Sequence, residues 1–300
     1  MRSKPFITLL GLIALTCGML VVAAQEPDDE VRGAFISSRP KTTNTSASAR
    51  RRKPPRNSNT NSSSASAKNT NSTKVNVNNS GKVLVNPSRP TQPIGLGYTL
   101  FMRDPFGRGV RVEPTREFHN GDRVRLLLEP SVDGYLYVFH SEGDGAPEMI
   151  YPDARLDGGE NWIEAHVPLE VPSSVETDER LRWFTFYGNA GTERLYVVVT
   201  REPLTSVPIG SDLVNFCSAN KDKCPWHPSA ELWTQLQAAT KADVKVVASK
   251  TFGQVQTESE TVATTRGLGL DQSAPQPSVI RMNAATNAPV LVTVLDLIHK

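Results

Sequence analysis

The stretch GYLYVFHSEGDGAPEMIYPD, Gly134 to Asp153, decides how the chain is read. Gly134 opens a strand, Tyr135 to Phe139 supply a pleat that is apolar on both faces, and the acids and glycines of SEGDG turn the chain. PEMIYP then runs back beside it, and Asp144-Gly145 is a strong hairpin signal, because such a pair tolerates positive φ. The stretch also holds His140, Glu142, Asp144 and Asp153, so a reactive site has to be weighed. A calcium loop would place oxygen ligands at alternate positions; Glu142 and Asp144 do alternate, with Asp153 or Asp157 to complete the set, but the full pattern is absent. His140 beside Ser141 lacks the Gly-x-Ser-x-Gly elbow of a hydrolase. A hairpin accounts for nearly every residue, and the stretch reads as fold before site.

Outward from the hairpin, short β-branched and aromatic runs alternate with turn signals. Strands are expected near GYTLFMR, GVRVEP, RVRLLLEP, GYLYVFHS, PEMIYP, NWIEAHVPL, LRWFTFYG and RLYVVVTR. In RVRLLLEP, Val124, Leu126 and Leu128 share one face and Arg123 and Arg125 the other, the mark of a strand half buried and half wet. YLYVFH and LYVVVT are apolar on both faces and belong at a sheet centre. The spacing implies an all-β fold, an antiparallel sandwich of immunoglobulin-like or related type. One short helix is expected at Ser229 to Ala239, with Ser229 as N-cap and Leu232, Trp233 and Leu236 on one face. The C-terminal APVLVTVLDLIHK is expected to return as a strand, since an exposed apolar terminus would aggregate.

The run GDRVRLLLEPSVDGYLYVFHSEGDGAPEMIYPD, followed by NWIEAHVPLEVP and AGTERLYVVVTREPL, resembles the bacterial family known as Domain of Unknown Function 4384. The Gly-Tyr-Leu-Tyr-Val strand, the pair Tyr151-Pro152 and the strand GTERLYVVVTREP carry the resemblance, over Gly95 to Pro203. It implies an all-β module found in exported bacterial proteins, and it brings no activity and no catalytic residues. The basic arm and the Cys217 to Cys224 insertion lie outside the family's usual pattern.

The N-terminus has the layout of a secretory leader: Arg2 and Lys4, an uncharged run from Pro5 to Ala24, and a Val22-Ala23-Ala24 end that fits cleavage after Ala24. An uncleaved leader is long enough to anchor the chain in the inner membrane, and IALTC at Cys17 departs from a lipobox. Residues 25–92 are rich in Ser, Asn and Thr with few large apolar residues, the composition of a disordered arm. Between Glu30 and Asp104 there is no acid, and the cluster Arg50, Arg51, Arg52, Lys53 and Arg56 falls in that interval. The net charge of +2 therefore hides a basic arm on a body that is acidic by about eight charges. The division expected is a leader at 1–24, the arm at 25–92, a sandwich at 93–203, and a C-terminal extension at 204–300 with the Cys loop, the helix and the last strand.

Export makes Cys217 and Cys224 a local disulfide, for which the chain-entropy account gives about 2.5 kcal/mol; a zinc site would need ligands beyond His227. His119, His140, His166, His227 and His299 are scattered singly, without metal-ligand spacing, and no cofactor motif stands out. Among Trp162, Trp183, Trp226 and Trp233, the first two could line a sugar surface, although core burial is the commoner fate. The arginine cluster would suit nucleic acid in the cytosol; with the leader and without a stacking aromatic, it suits anionic envelope polymers or lipid head groups instead. The expectation is a non-enzymatic periplasmic or secreted protein, a sandwich on a flexible basic tether binding an envelope protein or an anionic surface polymer. A hydrolase or carbohydrate-binding protein acting on envelope polysaccharide is the alternative, and it would need two convergent carboxylates.

Overall fold

A computed structural model of the protein describes residues 27–41 and 92–300. The leader and the cluster Arg50 to Arg56 lie outside the described residues. In chain order the elements begin with α1 (Pro27–Ser37), β1 (Gly95–Arg103), β2 (Gly109–Val112), β3 (Glu117–Phe118), β4 (Arg123–Pro130), β5 (Gly134–Glu142) and β6 (Glu148–Tyr151). Next come β7 (Trp162–Ile163), β8 (Leu169–Val171), β9 (Phe184–Thr185), β10 (Gly191–Thr200), α2 (Ser211–Ala219) and α3 (Ala230–Ala239). The chain closes with β11 (Val244–Ala248), α4 (Glu258–Arg266), β12 (Val279–Asn283) and β13 (Val290–His299).

The strands form two sheets. The first has the order β11-β12-β1-β4-β8, with β2 added to β1 and β9 to β4; the second has the order β3-β13-β10-β5-β6, with β7 added to β5. All pairs are antiparallel except β3 with β13. The fold is thus an all-β sandwich. Its inner core is what period-two alternation demands: Leu96, Tyr98 and Leu100 of β1 with Leu126 and Leu128 of β4 face Leu136 and Val138 of β5 and Val197 and Val199 of β10. β5 and β10 are neighbours in the middle of their sheet, and the last strand pairs along the whole of β10. Residues 204–300 thus complete both sheets.

The stretch Gly134 to Asp153 is a hairpin, β5 against β6, with a register shift between Val138 and Phe139. Its positive φ falls on Gly143 rather than on Asp144-Gly145. Gly134 cannot be replaced without moving the chain, because an added Cβ would run into Thr200 O of β10.

Several expectations are corrected. Among the described residues there are four α-helices rather than one. α3 is the expected helix, and the Ser229 side chain caps it by accepting from Leu232 N at 3.2 Å. α4 is set by a capping box, with Thr257 accepting from Glu260 N and Glu260 accepting from Thr257 N. α1 falls inside the segment expected to be a disordered arm, and it buries Val31 and Phe35 against Val247 and Ile280. NWIEAHVPL is two strands in different sheets, β7 on β5 and β8 on β4, with the crossover at His166, where φ is 59°. Nor is β4 half wet: Arg125, Leu127 and Glu129 on its supposed solvent face are 7%, 5% and 2% exposed. Covering segments supply the opposite charges that make this burial tolerable.

Candidate ligand-binding cleft

Both outer faces of the sandwich are occupied. On the second sheet, Tyr137, Phe139, Tyr196 and Val198 pack under Leu213 of α2 and Leu232 and Leu236 of α3. Trp233 stands edge-on to Tyr196 and Phe139, with centroids 4.5 and 6.0 Å away. The first sheet is covered by α1, α4 and their flanking segments, largely through charge. Arg39 holds Glu129 by two hydrogen bonds of 2.8 and 2.7 Å, Arg111 pairs with Glu260, and Arg125 lies 3.4 Å from Glu170. Gln256 donates to Glu170 at 2.6 Å and accepts from Arg125 at 3.1 Å. Edges and loops are the parts of the sandwich left to meet a partner.

One edge opens into a cleft of about 1210 Å³, between the regions of β6 and β8, the last strands of their sheets. Tyr151, Trp162, Leu181, Trp183 and Trp226 are among its lining residues, and the bridge between Cys217 and Cys224 forms part of the wall. The disulfide ties α2 to the strand-like segment after it. That segment lies along β6: Met149 N donates to Trp226 O at 2.8 Å, and Pro147 O lies 2.9 Å from His227 Nδ1. The contact blunts a sheet edge that could template aggregation, and it places Trp226 in the cleft. β8 is blunted differently, being three residues long with Pro168 before it and Pro172 after it.

The two tryptophans singled out in the sequence both reach this cleft, but not as a flat platform. Trp183 is 7% exposed, and the guanidinium of Arg125 sits 4.2 Å from its ring centroid, so it is a wall that also packs on Phe101 and Leu127. Trp162 is half-buried and stands edge-on to Tyr135 at 5.1 Å. Its Nε1 is buried without a hydrogen-bond partner, as is Glu170 Oε2.

Two of the three acids lining the cleft, Asp153 and Glu170, are held by cationic or amide partners. Asp153 accepts from Arg155 Nε at 2.9 and 3.1 Å, and that hydrogen bond holds the guanidinium pKa above its usual value. Glu170 faces Arg125, whose pKa is pushed down by burial and held up in part by this carboxylate. Asp153 lines the cleft, whereas Glu142 and Asp144 do not, and the exposed Asp144 faces Arg194 instead; the side chain of Asp157 lies outside the described residues. A glycosidase-like pair of free carboxylates is not formed by these residues. What the cleft offers is aromatic surface with balanced charge.

A second cluster has the distances of a nucleophile, base and acid. Ser38 Oγ lies 2.8 Å from His166 Nε2, and His166 Nδ1 lies 2.9 Å from Glu129 Oε1. Its surroundings oppose acyl transfer. Ser38 follows the C-terminus of α1, where the helix dipole is negative, and its N–H donates to Ala34 O while Arg39 N donates to Ile36 O. The Ser38 hydroxyl itself donates to Phe35 O at 2.7 Å. This is a docking contact between α1 and the sheet. Arg39, Glu129, His166 and Trp226 were not singled out as functional by sequence; Arg125 and Glu129 at i and i+4 on one strand face were the available signal, and their partners are far away in the chain.

The fold and cleft define an all-β sandwich closed on both faces and open at one edge. Residues 117–203 match the family model described as Domain of unknown function (DUF4384), as the sequence resemblance implied. No curated protein and no solved structure matches the chain. The matched span holds β3 to β10 and most of the cleft, while β1, β12 and β13, which complete the sheets, lie outside it.

Proposed function

We propose that the protein is an exported envelope protein that works by binding, not catalysis, and that the cleft at the β6 and β8 edge is where it binds. The observation that carries this reading is the lining itself: Trp162, Trp226 and Tyr151 around a large opening in which two of the three lining acids, Asp153 and Glu170, are committed to Arg155, Arg125 and Gln256. The partner is an envelope protein or an anionic surface polymer. The aromatic lining keeps polysaccharide among the candidate polymers, as a bound ligand rather than a substrate. Export is supported by the leader layout and by the bonded cysteines, which suit an oxidising compartment. We also read the module as related to immunoglobulin-type sandwiches, a reading supported by the order β1-β4-β8 in one sheet and β6-β5-β10-β13 in the other.

The basic cluster Arg50 to Arg56 adds a second, electrostatic attachment in this reading, salt-sensitive where the cleft is not. Its expected role as a simple tether changes, because α1 precedes it and is packed on the body. The test is co-sedimentation of the mature chain with isolated envelope fractions, with Trp226→Ala and a deletion of residues 42–91 as variants. The proposal expects Trp226→Ala to lose the binding that persists at high salt, and the deletion to lose the binding seen only at low salt. Full binding by Trp226→Ala at high salt would remove the cleft from the account.

A further inference from the structure

The segment from Pro27 to Lys41 is attached to the body in its own way. Among the described residues α1 joins neither sheet as a strand partner, and the backbone hydrogen bond at its end is from Gln272 N to Pro40 O, at 3.1 Å. Val31 and Phe35, four residues apart, share one face of α1, and Arg39 follows two residues past its end. Each meets a matching part of a hollow on the first sheet. Val31 and Phe35 pack on Val247 and Ile280. Beneath Phe35, β1 carries Gly95 and Gly97; an added Cβ at Gly97 would run into Pro277 and come within 3.0 Å of the Phe35 ring, and one at Gly95 within 2.9 Å of Ser131 Oγ and 3.3 Å of that ring, so the floor of the hollow is tight at both.

The polar end of the hollow is equally specific. Arg39 is fully buried, with Nε and Nη2 on the two oxygens of Glu129 and further donations to Ala274 O at 2.9 Å and Pro275 O at 3.0 Å. His166 bridges the other side, with one ring nitrogen facing Glu129 and the other Ser38, and its ring is edge-on to Phe35 at 5.4 Å. Yet about 50 residues separate Lys41 from Gln92. At about 3.3 Å per extended residue, that length far exceeds the ~16 Å of the helix, so chain connectivity alone does not hold α1 in place.

We propose that this hollow is a docking site for an amphipathic helix, and that residues 27–41 occupy it as an exchangeable intramolecular ligand rather than as a fixed part of the core. Its specificity is for two apolar residues four apart, followed four residues on by an arginine that enters between Glu129 and the carbonyls of residues 274 and 275. Docking holds both ends of the basic segment 42–91 on the body. Release would leave that segment joined to the body at Gln92 alone, and would open Glu129 and His166 to solvent.

The test uses the full mature chain with a protease recognition sequence inserted after Ser64. After cutting, the N-terminal fragment is expected to co-elute with the body in size-exclusion chromatography. A synthetic peptide of residues 25–41 is expected to displace it, with the far-UV circular dichroism of the sandwich unchanged. The same peptide with Arg39→Ala is expected to need at least about 100-fold more, because it leaves Glu129 buried without its partner. A fragment that leaves as soon as the chain is cut, one that stays at every peptide concentration short of unfolding, or equal potency of the two peptides would overturn the proposal.

Discussion

The two outer faces of the sandwich are both covered, by opposite means. The second sheet turns Tyr137, Phe139, Tyr196 and Val198 outward and buries them under leucines of α2 and α3. The first sheet turns out Arg111, Arg125, Glu129 and Glu170, and buries them by bringing Glu260, Arg39 and Gln256 from segments distant in sequence. An apolar cover is forgiving, since many side chains of similar volume would fill it. A charged cover is not, since each buried ion depends on a few specific partners.

That contrast sets the order of expected effects. The largest should come from Glu260→Ala, which leaves Arg111 buried without its ion partner and also removes the capping box of α4, and is expected to cost about 3–5 kcal/mol, read from the urea midpoint. The double replacement Arg111→Met with Glu260→Leu should recover the part of that loss due to the unpaired ion, because a well-packed apolar pair can do as well as a buried ion pair, and should leave the part due to the lost cap of α4. On the other face, Leu236→Ala should cost about 2–4 kcal/mol by leaving a cavity under α3, with no recovery available from a charge partner. Removing the bridge with Cys217→Ser and Cys224→Ser is expected to cost about 2.5 kcal/mol and to loosen the Trp226 wall, followed by indole fluorescence on chemical denaturation. The smallest effect belongs to the exposed pair of Arg194 and Asp296: Asp296→Asn should cost under about 1 kcal/mol, and less still at high salt.

The same contrast explains what the sequence could reveal. β4, β5, β10 and α3 are legible, because alternation in β4, the two-faced apolar runs of β5 and β10 and helical spacing in α3 are local, and a cap such as Ser229 sits beside the helix it starts. The covering of the first sheet was not legible. Arg125 and Glu129 look like the wet side of β4 unless their partners are known, and Arg39 lies 90 residues from Glu129. α1 was hidden for a related reason: PDDEVRGAFIS has two residues that become fully or nearly buried, Val31 and Phe35, in a setting rich in Ser, Asn and basic residues. NWIEAHVPL looked like one strand because its apolar residues are continuous; only the structure places the sheet change at His166. The cleft was half visible. Trp162 and Trp183 stand out in the sequence, but Arg125 over the ring of Trp183 makes that residue a wall, and Trp226 enters through the backbone contact with Met149.

The most direct test of the account is a double-mutant cycle on Arg39 and Glu129, using Arg39→Ala, Glu129→Ala and both together, with equilibrium urea unfolding of residues 25–300 as the readout. If charge closes the first sheet, each single change is strongly destabilising and the pair together costs little more than either, with a coupling of about 2 kcal/mol or more. Additive costs, with a coupling below about 0.5 kcal/mol, would mean that the two groups do not depend on each other, and that the first sheet is held closed by something other than its buried ion pairs.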